Sequence, residues 1–245
     1  MVGVHNFFEC DNNLANVTPN MTDSSVRTDS VIYELENVSY HYLGNIPALL
    51  SVNAIIKKGE AVFILGANGS GKSTLLDILD GIRFPTSGVV RAFGYPLTDG
   101  TLNINRSEFA RYFRSKVGLI FQNSDTQLFS PTVGDEIAFG PLQLDLSQDE
   151  VVARVEKVMK LLEISDLKDR GPHYLSGGEK KKVAIGSILS VDPDVLLLDE
   201  PTNNLDPRTR EWLIELLLHL QKNGKTIIAA THDLDVAKRI ASRII

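Results

Sequence analysis

The chain has 245 residues, 43% hydrophobic and 23% charged, enough to bury a large core as one folding unit with subdomains. No apolar stretch approaches the roughly 18 residues of a membrane span, and no basic region followed by an apolar one opens the chain, so it reads as soluble rather than inserted or secreted. A formal net charge of -6 gives no general attraction to nucleic acid, and the single cysteine, Cys10, excludes an internal disulfide and fits a reducing compartment, which makes the Asn16-Val17-Thr18 sequon incidental.

Residues 1–30 are rich in Asn, Asp, Ser and Thr without periodicity and are expected to form a disordered extension, with no role assigned. The alternation Ile32-Tyr33-Glu34-Leu35-Glu36-Asn37-Val38 predicts a half-exposed strand. Ile55-Ile56-Lys57 and Val89-Val90-Arg91-Ala92-Phe93 extend it into an antiparallel layer. The run Ala61-Val62-Phe63-Ile64-Leu65 predicts a buried strand, and Leu75-Leu76-Asp77-Ile78-Leu79 a helix. Between them stands Gly66-Ala67-Asn68-Gly69-Ser70-Gly71-Lys72-Ser73-Thr74, which matches the phosphate-binding P-loop pattern in full and in the strand-loop-helix context it requires. In that pattern the loop N–H groups and the helix N-terminus face phosphates, Lys72 reaches the β and γ groups, and the Ser73 hydroxyl ligates Mg²⁺. Thr74 is expected to add a phosphate contact.

Residues 107–183 are predicted to be largely helical, with amphipathic spacing over Val151-Val152-Ala153-Arg154-Val155-Glu156-Lys157-Val158-Met159. Lys180-Lys181-Lys182, beside Glu179 at helical spacing, is expected to be a solvated face rather than a binding patch. In Leu175-Ser176-Gly177-Gly178-Glu179 two glycines allow backbone N–H groups to approach an anion, Ser176 adds a hydroxyl donor, and an amphipathic run behind them places a helix N-terminus there. That arrangement is a phosphate clamp, or equally a turn and helix cap. Asp194-Val195-Leu196-Leu197-Leu198-Asp199-Glu200-Pro201 predicts a buried parallel strand ending in two carboxylates, where the ligand chemistry of such sheets collects. Asp199 is placed to hold Mg²⁺ and Glu200 to polarise the water that attacks the γ-phosphate, the alternative being an acidic turn in solvent. A last core strand, Thr226-Ile227-Ile228-Ala229-Ala230, precedes Thr231-His232-Asp233, and no internal repeat is present.

With the P-loop, the Leu175-Ser176-Gly177-Gly178-Glu179 stretch and the carboxylate pair in this order, the chain resembles the ATP-binding cassette family from about residue 33 to 245, and that stretch resembles the family's signature. The resemblance implies an α/β fold: a RecA-like P-loop NTPase core with an antiparallel β subdomain and a helical subdomain over about 107–183 that ends in the signature. It implies an ATPase using ATP and Mg²⁺, paired with a second ATPase subunit whose P-loop meets this chain's Ser176, Gly177 and Gly178. Tyr42 matches the aromatic that stacks on adenine, a role needing the ring and not the hydroxyl, though it also fits a half-buried strand residue. Gln122 matches the glutamine that contacts Mg²⁺ and the attacking water and reports to a membrane partner, though a solvated loop residue is the alternative. Asn204-Leu205-Asp206 resembles the loop that crosses the dimer interface, and His232 the histidine that senses γ-phosphate, or else a satisfied strand-end histidine.

A narrower resemblance rests on Phe121-Gln122-Asn123-Ser124-Asp125-Thr126-Gln127-Leu128-Phe129-Ser130-Pro131-Thr132-Val133 and Glu136-Ile137-Ala138-Phe139-Gly140-Pro141. This looks like the ATPase subunit of energy-coupling-factor and cobalt or nickel importers, where the region receives a helix of the integral membrane subunit at the cytoplasmic face of the membrane. Leu128 and Phe129 suit such a surface, the core being the alternative, and Phe139 suits a buried position. Two features depart from the pattern. Asn203-Asn204 resembles the soluble translation-factor branch of the same superfamily, and Ala241-Ser242-Arg243-Ile244-Ile245 only begins the strand that the family completes.

Overall fold

The computed structural model describes residues 31–43, 45–103 and 108–245. The expected extension over 1–30, with Cys10 and the Asn16 sequon, and Ser107, where the expected helical subdomain begins, lie outside the described residues. In chain order the elements are β1 (Val31–Tyr42), β2 (Ile46–Lys57), β3 (Ala61–Leu65), α1 (Lys72–Leu79), β4 (Ser87–Ala92), β5 (Tyr95–Pro96), α2 (Asp99–Asn103), α3 (Glu108–Lys116) and β6 (Val117–Ile120). Then follow α4 (Val133–Gln143), α5 (Gln148–Leu161), α6 (Gly177–Leu189), β7 (Val195–Asp199), α7 (Pro207–Lys222), β8 (Thr226–Thr231), α8 (Leu234–Ile240) and β9 (Arg243–Ile244). Among the described residues no helix is long and apolar enough to cross a membrane.

Two sheets result. β2-β1-β4-β5 is antiparallel, as the alternating pattern predicts, and β6-β7-β8-β3-β9 is parallel. The parallel strands are apolar at nearly every position because both faces are covered. Side chains of a strand alternate between faces, so Ala61, Phe63, Leu196, Leu198, Ile227 and Ala229 enter the core beneath α4 to α8. Their neighbours Val62, Ile64, Val195, Leu197, Ile228 and Ala230 enter a second core with α1, α3 and the antiparallel sheet. The P-loop helix is thus clamped between the two sheets.

Helix boundaries follow local chemistry. Ser147 and Glu150 form a reciprocal capping box at the start of α5, whose Val151, Val155, Val158 and Met159 are buried at the predicted spacing. The span 107–183 is less uniformly helical than its sequence suggests. Val117-Gly118-Leu119-Ile120, too short for a helix, joins the parallel sheet beside β7. Its preceding helix α3 packs through Phe113 into the core shared with the antiparallel sheet rather than with α4 to α6. At the other end Arg243 and Ile244 pair with Val62 and Phe63 of β3.

Candidate functional site

The strand ends meet along one edge of the parallel sheet. Ile120 pairs with Leu198, Asp199 with Ala230, and Leu65 with Thr231. The chain leaving each strand there carries Gln122, Asp199-Glu200, His232 and the P-loop, so four separated segments converge at the carboxyl edge where open α/β sheets bind ligands.

The P-loop geometry demands its glycines. Gly71 precedes α1 at φ 94°, and a Cβ there would lie 2.3 Å from the Ala48 carbonyl oxygen. Asn68, Gly69 and Ser70 are exposed, while Gly66 sits where a Cβ would press on the Ser70 hydroxyl. Lys72 opens the helix with its ammonium buried, donating to the carbonyls of Gly66 at 2.8 Å and Ala67 at 3.1 Å. It also lies 3.4 Å from Glu200 Oε1.

Glu200 leaves β7 at φ 41°, a left-handed conformation that a residue with a Cβ seldom adopts. That turn drives the carboxylate inward. Oε2 faces His232 Nδ1 at 2.9 Å and accepts from the His232 N–H and the Thr231 hydroxyl, each at 3.3 Å. Oε1 accepts no hydrogen bond among the described residues. His232 therefore orients Glu200 from a position 55% exposed.

Asp199 raises the question of a metal. Burial lifts its carboxyl above the usual range, and the nearby Ser73 hydroxyl opposes the rise. Its Oδ1 is buried and accepts no hydrogen bond among the described residues. An orphaned hard oxygen beside a hydroxyl suits Mg²⁺, which takes one or two protein oxygens and completes its shell with water and phosphate. Among the described residues no cluster of three or more His, Cys, Asp or Glu is placed to hold a metal alone. Gln122 is exposed just beyond β6.

Tyr42 lies across the start of α1. Its hydroxyl is 2.8 Å from that of the buried Thr74, so the group regarded as idle in the sequence has a partner, and Thr74 is engaged by it. The Arg83 guanidinium lies 5.2 Å from the Tyr42 ring centre and Tyr40 meets that ring edge-on at 5.1 Å.

The Ser176 segment is a helix cap and an anion-ready terminus at once. Ser176 N–H and hydroxyl donate to Glu179 Oε2 at 2.8 and 2.7 Å, which holds the Glu179 carboxyl below its usual range. The first N–H groups of α6 have no partner within the helix. The two glycines differ: a Cβ on Gly178 would lie 2.7 Å from the Thr209 hydroxyl, whereas one on Gly177 would meet nothing within 4 Å. Asp206 caps α7, accepting from the N–H groups of Arg208 and Thr209 at 3.0 Å and from the Thr209 hydroxyl at 2.6 Å.

The lysine run corrects the sequence reading. Lys180 pairs with Asp125 at 2.6 Å and Lys182 stands 4.7 Å over the Trp212 ring while donating to the Leu162 carbonyl. Lys181, 3% exposed, donates to the carbonyl of Phe121 at 3.1 Å and reaches that of Gln122 at 3.5 Å. Burial pulls its pKa down to about 8 against the opposing pull of Asp199. Helix α6 is enclosed on most sides, so a charged residue facing inward has to find carbonyls. Leu128 is partly buried against the core, whereas Phe139, expected inside, is 43% exposed and stacks edge-on at 4.9 Å with Phe129, itself 67% exposed. Sequence reasoning also missed Glu136, buried, whose Oε2 accepts the N–H groups of Phe129 at 2.9 Å and Ser130 at 2.7 Å and so fixes that aromatic pair outward. Its place at helical spacing among apolar residues was the available signal.

Residues 49–203 match the family model described as ABC transporter. The nickel import ATP-binding protein NikO of Rhodobacter capsulatus is 45% identical over 216 residues, covering 87% of this chain and 84% of that one. The solved structure of cbiO1 from Clostridium perfringens, described as part of the ABC transporter complex cbiONQ, is 39% identical with a TM-score of 0.76, covering 88% of this chain and 84% of that one. A dimeric, post-hydrolysis structure of the ATP-binding cassette MJ0796, bound to ADP and Pi, is 33% identical with a TM-score of 0.77, covering 87% of this chain and 93% of that one.

Proposed function

The chain belongs to the ABC transporter family as an ATP-binding, ATP-hydrolysing domain, and from that premise we propose that it powers solute import as a peripheral subunit on the cytoplasmic face of a membrane protein. The observation that carries this reading is the convergence of the P-loop, Asp199-Glu200, His232 and Gln122 at one sheet edge, with an exposed aromatic pair in the segment after Gln122. The similarity to a nickel import protein and to a part of the cbiONQ transporter complex supports import; nickel, cobalt and a vitamin are the solutes this reading admits.

In this reading Lys72 and the loop N–H groups hold the β- and γ-phosphates, and the Tyr42 ring holds the base. Ser73, Asp199 and Gln122 would hold Mg²⁺, which when bound would supply positive charge to offset that on the phosphoryl oxygens. Glu200, oriented by His232, takes the proton of the attacking water. Two copies, or this chain and a related ATPase subunit, enclose ATP between one P-loop and the other's Ser176 segment. Gly177 supports that arrangement: it needs no small side chain for its own packing, and a bare backbone there admits a ligand from outside.

The membrane-facing part of the proposal is tested with Phe129→Asp. The variant should stay folded and bind ATP but lose co-purification with a multi-span membrane protein from detergent-solubilised membranes. Co-purification that survives the substitution removes Phe129 from the partner surface. A wild-type chain that never co-purifies with such a protein favours a soluble ABC ATPase that moves no solute, the reading to which Asn203-Asn204 points.

A further inference from the structure

Helix α6 does more than present the Ser176 segment; it also grips the loop that carries Gln122. Three side chains join them. Lys180 pairs with Asp125 at the surface, Gln127 donates to the Ala184 carbonyl at 2.9 Å, and the ammonium of Lys181 meets the carbonyls of Phe121 and Gln122. Gln127 also accepts the Phe121 N–H at 3.2 Å, closing the loop on itself. Of the three, Lys181 is the most enclosed side chain, 3% exposed, so its ammonium has few alternatives to these carbonyls.

An ammonium is a costly filler for a buried position, where an unbranched apolar side chain of similar length would pack without losing hydration. What the charge adds is direction. Two consecutive carbonyls in extended chain point to opposite sides, yet here both approach one Nζ, which requires the bend observed at Gln122. With its carbonyl drawn toward α6, Gln122 stays exposed at the strand edge beside Asp199. The same ammonium lies in the electrostatic reach of Asp199.

We propose that Lys181 is a positioning residue that fastens the Gln122 loop to helix α6 and so sets where the Gln122 side chain stands relative to Asp199 and to the Ser176 segment. The fastening is a property of the folded chain alone; only its effect on turnover rests on the ATPase mechanism above.

Two measurements on the full chain separate these levels. In the first, hydrogen exchange without nucleotide should rise at least about tenfold across residues 121–128 in Lys181→Met, while the strands of the parallel sheet keep wild-type protection. Lys181→Arg, which restores charged donors, should return the loop toward wild type. In the second, steady-state kinetics, kcat should fall on the order of 10- to 100-fold in Lys181→Met with the KM for ATP little changed, because a displaced positioning group costs rate while the phosphate-binding groups stay intact. Unchanged loop exchange in a folded Lys181→Met overturns the fastening. Raised exchange with wild-type kcat keeps the fastening and overturns its catalytic role. If the wild-type chain hydrolyses no ATP, the proposed function fails while the exchange experiment still decides the fastening. If Lys181→Met does not fold, Lys181→Gln, a shorter and neutral side chain with two N–H donors, takes its place, and loop exchange and kcat both as in wild type then overturn the role proposed for the ammonium.

Discussion

Glu200 is held in the way that the proposed proton transfer requires. Its left-handed backbone costs on the order of 1 to 3 kcal/mol relative to an ordinary conformation, and the returning hydrogen bond from its own N–H to the Ala230 carbonyl holds it there. The carboxylate that results has one oxygen fixed by Thr231 and His232 and the other facing Lys72. Glu200→Gln keeps shape and hydrogen-bonding capacity but not basicity, so the variant should bind ATP and hydrolyse it at least roughly a hundredfold more slowly, the range of a positioned base. Equilibrium ATP binding and single-turnover hydrolysis check this, and near wild-type turnover removes Glu200 from the mechanism. Residue type and order were enough to single out Glu200, Asp199, Lys72 and Ser73 as candidates, because a phosphate and a metal dictate which side chains can serve them. The partners of these residues were not legible. The link from Tyr42 to Thr74 joins β1 to α1, and the link from Lys181 to Phe121 spans 60 positions. Contacts of that kind depend on packing that no local pattern encodes.

At the scale of elements, the P-loop helix α1 is short and its far end is electrostatically unfavourable. Asp80 closes the helix with its side chain 11% exposed, at a terminus where backbone dipoles already concentrate negative charge. Burial raises its pKa to about 7, Arg114 opposes the rise with a contact of 3.4 Å, and Asp77 adds to it. An unfolded Asp ionises near pH 3.9, so between pH 4 and 7 the folded state holds a proton that the unfolded state has lost. Stability is therefore lost as pH rises through that window, and the penalty is complete above pH 7. Asp80→Asn abolishes this term. The stability difference between variant and wild type, from urea melts, should move in favour of Asn by roughly 2 to 3 kcal/mol between pH 5 and pH 8. A difference independent of pH contradicts the burial argument. Strands β1, β3, β7 and β8 and helix α5 were all legible, since period-two alternation, apolar runs and amphipathic spacing come directly from which faces are covered. Strand β6 was hidden inside a helical stretch because four apolar residues carry no period, and α6 looked half-solvated because its lysines are charged rather than because they are exposed.

On the scale of the whole molecule, the described contacts of the Ser176 segment run to Glu179 and Thr209, while the P-loop Lys72 is bound to its own loop and to Glu200. If the segment serves another subunit's nucleotide, lesions in the two places must complement each other. Ser176→Arg puts bulk and charge at the start of α6, and Lys72→Ala removes the ammonium that the ground-state phosphates feel, so a preparation carrying either variant alone should be inactive. A mixed dimer gathers both lesions into one composite site and leaves the other with an intact P-loop and an intact Ser176 segment. Single-turnover hydrolysis should therefore reappear on mixing, up to about half of the sites, even if steady cycling needs both. Mixed dimers shown to form but unable to hydrolyse ATP would place catalysis within one chain. A chain that never pairs with itself directs the same experiment to a second, different ATPase subunit, where the two lesions placed together on one partner should leave one composite site without its lysine and the other without its clamp, and abolish activity. The two lesions split between partners on opposite sides of one site should spare the other. That asymmetry distinguishes shared sites from two independent ones, because independent sites would respond only to the number of damaged chains.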